Sequence, residues 1–153
     1  MHPYYYVQND SGYRQNEQLV RNIRKAINGE YSAIQCYERL ALMAPNAKEK
    51  KQIQEIRQDE SKHFHQFMRI YTSLTGKQHS PKIVEGCPNQ YRTGLEFAFQ
   101  DEQETVDFYL GISEGSNDPI IKETFRRAAA DEQNHAVWFL YFLTNQPSRY
   151  RVF

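Results

Sequence analysis

Asp59-Glu60-Ser61-Lys62-His63 and Asp131-Glu132-Gln133-Asn134-His135 are one pattern, DExxH, written twice at an offset of 72 residues. The same offset relates Glu30 to Glu102 and Tyr37 to Tyr109. A segment of about 19–71 therefore repeats as about 91–143, weakly in overall sequence but in register at every residue that can do chemistry. Around the first motif, Ile53, Ile56, Glu60, His63, Phe67, Ile70 and Leu74 follow one another at spacings of three or four. That is one face of a helix, and it places Glu60 and His63 inside an apolar seam where ionisable residues do not normally belong.

The other seams follow the same rule. Phe125, Ala128, Glu132, His135, Phe139 and Phe142 form the row around the second motif, on a helix running to about 144. Ile23, Ala26, Ala33, Tyr37 and Leu40 mark a helix over about 18–43, with Glu30 in the vacant slot of the row. Leu95, Ala98, Glu102, Thr105, Tyr109 and Ile112 mark another over about 91–114. Pro45 stops the first helix and Asn46 caps the second, over about 47–74. Gly115 ends the third, and Asp118 caps the fourth with Pro119 at its first position. Residues 75–90, with two Gly and two Pro and no period, form a long connection between the halves. Residues 1–16, including Tyr4-Tyr5-Tyr6, show no helical period and are predicted to be an extended tail. The bundle then occupies 17–145, and 146–153 is a short C-terminal tail.

Composition narrows the function classes. The 153 residues suit one domain with a sizeable core. Nineteen basic and nineteen acidic side chains cancel, so nothing in the balance points to nucleic acid, and no basic run points to a membrane surface. No apolar stretch is long enough to span a bilayer and no leader pattern is present, so the expected location is the cytoplasm. Cys36 and Cys87 are too few and too scattered for a disulfide framework, and the absence of CxxC excludes a zinc ribbon or rubredoxin-type iron centre. Cys36, off the seam face, reads as a small buried hydrophobe. The aromatic content is high, with 11 Tyr, 9 Phe and 1 Trp.

Glu30 and Glu60 are equidistant from Pro45, and Glu102 and Glu132 from Asn117, so each pair stands at one height of an antiparallel hairpin. Face-to-face packing of the hairpins brings four carboxylates and two imidazoles to one level of the core. Burying such a cluster unpaired costs several kcal/mol per charge, and two divalent cations would neutralise it. Glu and His at i and i+3 share a helix face and can hold one ion together. A Glu from each of two helices plus ExxH from each of the other two is the ligand set of di-iron and di-manganese carboxylate bundles. The predicted metal ligands are thus Glu30, Glu60, His63, Glu102, Glu132 and His135. Asp59 and Asp131 either accept the free ring N–H of the histidine on the other ExxH helix or are solvated face residues. Tyr37 and Tyr109 either hydrogen-bond a ligand carboxylate, or relay an electron, or simply pack in the core. His2, His65, His79 and Glu104 are set aside because they lie off the seam or outside the helices.

With these residues in place, the chain resembles the ferritin-like superfamily, especially its bacterioferritin, rubrerythrin and manganese-catalase branches. The likeness rests on Gly29-Glu30 with Tyr37, on Glu102 with Tyr109, and on the two DExxH motifs, and it covers roughly 18–144. The resemblance implies an all-α, ferritin-like four-helix bundle of two antiparallel hairpins joined by a long crossover; spacing alone would also permit a simple up-down-up-down bundle. It further implies two metal ions, with Glu60 and Glu132 bridging and His63 and His135 terminal. Thr105 stands where rubrerythrins carry a further ligand Glu.

The leading functional expectation is a non-haem di-iron oxidoreductase, of rubrerythrin-like peroxidase or ferroxidase type, acting on dioxygen or hydrogen peroxide with an unidentified electron donor. Two Fe ions are the expected cofactor, with Mn as the alternative. The rival readings are an iron-storage protein, a manganese catalase-like protein, and a metal-stabilised structural or coat protein. A homodimer is the expected assembly, with no nucleic-acid or membrane partner.

Overall fold

A computed structural model describes residues 10–147 of the chain. It contains four helices and, among the described residues, no strand: α1 (Asp10–Met43), α2 (Ala47–Thr75), α3 (Tyr91–Gly115) and α4 (Pro119–Thr144). The hairpin turns form where capping chemistry dictates. Asn46 accepts the Glu49 backbone N–H at the start of α2, and Asp118 accepts those of Ile120 and Ile121, with Pro119 opening α4. At the end of α2, Gly76 takes φ 68°, a left-handed conformation that costs an L side chain energy and glycine nothing.

One boundary differs from the sequence reading. Helix α1 begins at Asp10, so residues 10–16 are helical rather than an extended tail. Gly12, Arg14, Gln15, Asn16 and Glu17 are exposed, and exposed polar positions carry no apolar period to read. Tyr4-Tyr5-Tyr6, His2 and residues 148–153 lie outside the described residues.

The order of packing settles the topology. Helix α1 packs on α2 and α3 on α4, while α1 also faces α3 and α2 faces α4. Tyr37 of α1 meets Glu102 of α3, and Glu30 meets Tyr109, so α1 and α3 run antiparallel. An up-down-up-down bundle would make α1 and α3 diagonal instead. The long crossover is therefore real, and it runs along α1 in the same direction as that helix. Lys82 N–H bonds Asn28 Oδ1 at 3.0 Å, Val84 N–H bonds Ser32 Oγ at 3.0 Å, and Arg39 Nη2 donates to Asn89 Oδ1 at 2.8 Å. Between the last two, Cys36 and Cys87 form a disulfide with their Cα atoms 5.3 Å apart.

Cys36 is buried, as read from the sequence, but the disulfide corrects its reading as simply a small buried hydrophobe. The two cysteines are 51 residues apart in sequence, and only the course of the crossover along α1 brings them together.

The core is divided. One apolar cluster centres on Ile23, Ile27, Phe67, Tyr109, Ile112 and Phe125, the other on Tyr37, Leu40, Ile53, Ile56, Leu95 and Phe139. In the first, Phe67 stacks on Phe125 with ring centroids 4.2 Å apart and meets Tyr109 edge-on. Phe67→Ala should destabilise the fold by about 3–5 kcal/mol, read from the shift in chemical denaturation midpoint at unchanged slope. Between the two clusters lies a polar belt.

Candidate metal centre

The belt consists of Glu30, Glu60, His63, Glu102, Glu132 and His135, each only 1–2 % exposed. One residue comes from α1, one from α3 and an ExxH pair from each of α2 and α4, so every helix contributes at the same level. Two ligand sets emerge, Glu30, Glu60, His63 and Glu132, and Glu60, Glu102, Glu132 and His135; within each set the ligand atoms lie within 4.8 Å of one another. Glu60 and Glu132 belong to both. The two imidazole centroids are 6.3 Å apart.

The ring nitrogens divide their work. His63 Nε2 lies 3.0 Å from Asp131 Oδ2, and His135 Nε2 lies 3.0 Å from Asp59 Oδ2. Each aspartate thus serves the histidine of the opposite ExxH helix, fixing the ring so that Nδ1 points into the centre. His63 Nδ1 sits 3.1 Å from Glu132 Oε1, and His135 Nδ1 sits 2.9 Å from Glu60 Oε1, without the alignment a hydrogen bond requires. Tyr37 donates its hydroxyl to Glu102 Oε1, and Tyr109 donates to Glu30 Oε1. Each tyrosine therefore holds the glutamate of the other hairpin, a pairing that the shared helix faces within each hairpin do not reveal.

Six buried polar atoms remain without a hydrogen-bond partner and converge on the belt: Glu30 Oε2, Glu60 Oε1, Glu102 Oε2, Glu132 Oε1, His63 Nδ1 and His135 Nδ1. Orphaned groups at this depth are costly, and here all are electron-pair donors, so the donor set fits metal ions.

The electrostatics carry the same strain. Burial, then the charge of Glu132, holds the Glu60 carboxyl well above the usual carboxylate range, and Glu102 is raised by the same two causes. Burial would raise Glu132 as well, but the close approach of Glu102, His135 and His63 outweighs it and holds this carboxyl well below the usual carboxylate range. Burial also opposes charge on both imidazoles. It is overcome at His63 by the hydrogen bond to Asp131 and the nearness of Glu132, and at His135 by the charge of Glu60 and the hydrogen bond to Asp59, so both are pushed up. The raised carboxyls of Glu60 and Glu102 hold protons that a bound cation would displace.

A cavity of about 80 Å³ joins this belt to the surface between α1 and α3. Gly29, Glu30, Glu60, Thr105 and Glu132 line its inner part, and Lys25, Val84, Glu85 and Asp101 its mouth. Burial and the neighbouring Glu85 carboxyl push Asp101 up to about 8. The small Thr105, which turns its hydroxyl to the Asp101 carbonyl, leaves this passage free. His65 and Glu104 are exposed and away from the belt, and His79 bonds Asn28 on the crossover side. Glu49, buried at the α1–α2 turn, is a carboxylate the sequence reading missed; its place at the third residue after the Asn46 cap was the available signal.

The comparisons agree with this architecture. A profile of the Rubrerythrin family matches residues 94–152. "Uncharacterized protein YhjR" of Bacillus subtilis (strain 168) is 55% identical over 131 residues, covering 86% of this chain and 90% of that one. A crystal structure described as ferritin like, diiron-carboxylate proteins from Bacillus anthracis str. Ames is 25% identical, with TM-score 0.75 over 84% of this chain and 97% of that one. A hypothetical protein from Pyrococcus furiosus, 20% identical over 82% of this chain and 88% of its own, shares the fold with TM-score 0.73. Among the described residues no helix is long and apolar enough to cross a membrane. By its sequence kinship with YhjR, its crossover bundle and its carboxylate–imidazole belt, the chain belongs to the ferritin-like superfamily, as a rubrerythrin-like member of one family with that protein.

Proposed function

We propose that the chain is a di-iron oxidoreductase that reduces hydrogen peroxide or dioxygen. The observation that carries this reading is the convergence of six orphaned donor atoms, in two sets sharing Glu60 and Glu132, at the inner end of a narrow passage. Two iron ions bound there would supply electrons in pairs to a small oxidant, and so avoid one-electron leakage. Carboxylate-rich sets with two imidazoles suit iron or manganese better than zinc, which prefers fewer ligands and tetrahedral nitrogen–sulfur sets.

The chain's own residues do the rest. Glu60 and Glu132, members of both sets, would be the carboxylates the two ions share. Asp59 and Asp131 hold the imidazoles with Nδ1 inward, and Tyr37 and Tyr109 hold Glu102 and Glu30 from across the bundle. The passage, about 80 Å³ in volume, suits small molecules of the size of water, peroxide or dioxygen rather than bulky organic substrates. Phe67 and Phe139, in the clusters on either side of the belt, shield it from bulk water.

Elemental analysis of chain purified from its own host, followed by peroxide and dioxygen kinetics, tests the proposal. Close to two irons per chain with oxidant turnover is the expected result. Two manganese ions with peroxide dismutation would replace it with catalase chemistry, and a mineral load far above the ligand count would replace it with storage. A chain that neither carries nor takes up metal would overturn it.

A further inference from the structure

Oxidant reduction needs a source of electrons, and the buried belt is closed to any reductant too large for its passage. We propose that Cys36 and Cys87 are a redox-active dithiol–disulfide pair that delivers two electrons at a time to the belt, and that a thiol reductant recharges it at Cys87. The inference rests on the oxidoreductase reading above and names its electron donor.

Three features of the structure carry it. The first is reach. Cys87 is half-buried on the crossover, where an external thiol can attack its sulfur, whereas Cys36 lies beneath it with 4 % exposure. The residue after Cys36 is Tyr37, whose hydroxyl bonds Glu102, a member of the second ligand set. One peptide unit, the Tyr37 side chain and one hydrogen bond thus connect the thiol-bearing residue to a ligand carboxylate.

The second is reversibility. The crossover is held to a single row of α1, Asn28, Ser32, Cys36 and Arg39, and three of these four anchors are hydrogen bonds that do not involve sulfur. They flank the cysteines on both sides. With the disulfide open, the two thiols stay opposite one another and can close again, as a cycling pair must.

The third is asymmetry. The repeat preserves the ligands and both tyrosines, but the position matching Cys36 is Phe108. The thiol occurs only in the half along which the crossover runs.

The balance closes. In the first step the dithiol gives up two electrons and two protons and its S–S bond forms; the O–O bond of hydrogen peroxide breaks, and two waters leave. In the second, an external dithiol is oxidised to its own disulfide as the Cys36 and Cys87 thiols are restored.

The test starts from chain reduced with dithiothreitol, freed of the reagent, loaded anaerobically with two Fe(II) per chain and titrated with hydrogen peroxide. Such a chain holds four reducing equivalents. It should consume two peroxides, with both thiols lost to alkylation as the second is consumed, while a Cys36→Ser, Cys87→Ser chain consumes one. The metal-free reduced chain should keep its thiols over the same time. Consumption of one peroxide with both thiols intact would overturn the proposal and leave the oxidoreductase reading standing. Equal thiol loss without metal would also overturn it, because the sulfur would then be reacting directly. No consumption by the loaded chain would remove the oxidoreductase reading, and the proposal with it. Thiol counts on the unsubstituted chain decide the matter even if the serine variant fails to fold.

Discussion

Glu132→Ala should leave the chain without either metal ion and without oxidant turnover, whereas His63→Ala and His135→Ala should each leave room for one ion. The difference follows from membership. Glu132 stands in both ligand sets, while His63 serves only the set with Glu30 and His135 only the set with Glu102. Removing Glu132 also takes away a carboxylate held well below its usual range and the close neighbour of both imidazoles. Asp131→Asn leaves the ligands untouched but alters the group that orients His63, and should weaken binding by about 10–100-fold. His65→Ala and His79→Ala should retain full metal content, since neither side chain reaches the belt. Metal per chain after dialysis, measured beside peroxide turnover, reads all of these. Equal loss in the two histidine variants and in Glu132→Ala would break the shared-ligand assignment.

Removal of the metal should lower the thermal midpoint, and the gap between loaded and stripped chain should widen as pH rises. At free metal a hundredfold above its dissociation constant the linkage is about 2.7 kcal/mol per site. For a domain of this size that corresponds to roughly 5–10 °C. The sign of the pH effect comes from the raised groups. Glu60, Glu102, His63 and His135 all hold their protons more tightly in the stripped fold than in the unfolded chain. The stability they contribute is full below their ordinary values and is lost as pH rises toward the folded ones. Glu132, depressed instead, contributes stability that is present above its ordinary value and lost progressively as pH falls below it. Metal loading expels the bound protons, so the apparent affinity should rise with pH, by about tenfold per unit for each proton released. Thermal scans of both forms from mildly acidic to alkaline solution would show it; a gap that narrows with pH would contradict the assignment of protons to the empty belt.

Much of this was legible in the chain itself, and the illegible parts share a cause. Glu60, His63, Glu132 and His135 announced themselves because ionisable side chains interrupted apolar rows, and Glu30 and Glu102 because the repeat offset paired them. Asn46 and Asp118 were readable as caps because capping is local chemistry. What could not be read was which segment lies across from which. Tyr37 shares a helix face with Glu30 but bonds Glu102, because the antiparallel approach of α1 and α3 decides the partner. Cys36 and Cys87 meet only because the crossover, which has no period of its own, follows α1. The start of α1 was missed for the opposite reason: Gly12 and residues 14–17 are exposed, and exposed positions write no apolar pattern.

The passage between α1 and α3 breaks the symmetry that the repeat builds. Its inner wall includes Glu30, Glu60 and Glu132 but neither Glu102 nor His135. Two ions held by these matching sets would therefore differ in how they trade with the surroundings. An ion beside Glu30 would exchange quickly with whatever metal the solution offers. An ion beside Glu102 would keep a record of the metal present when the bundle closed, and a chain moved from a manganese-rich to an iron-rich environment would pass through a mixed-metal form with a defined arrangement.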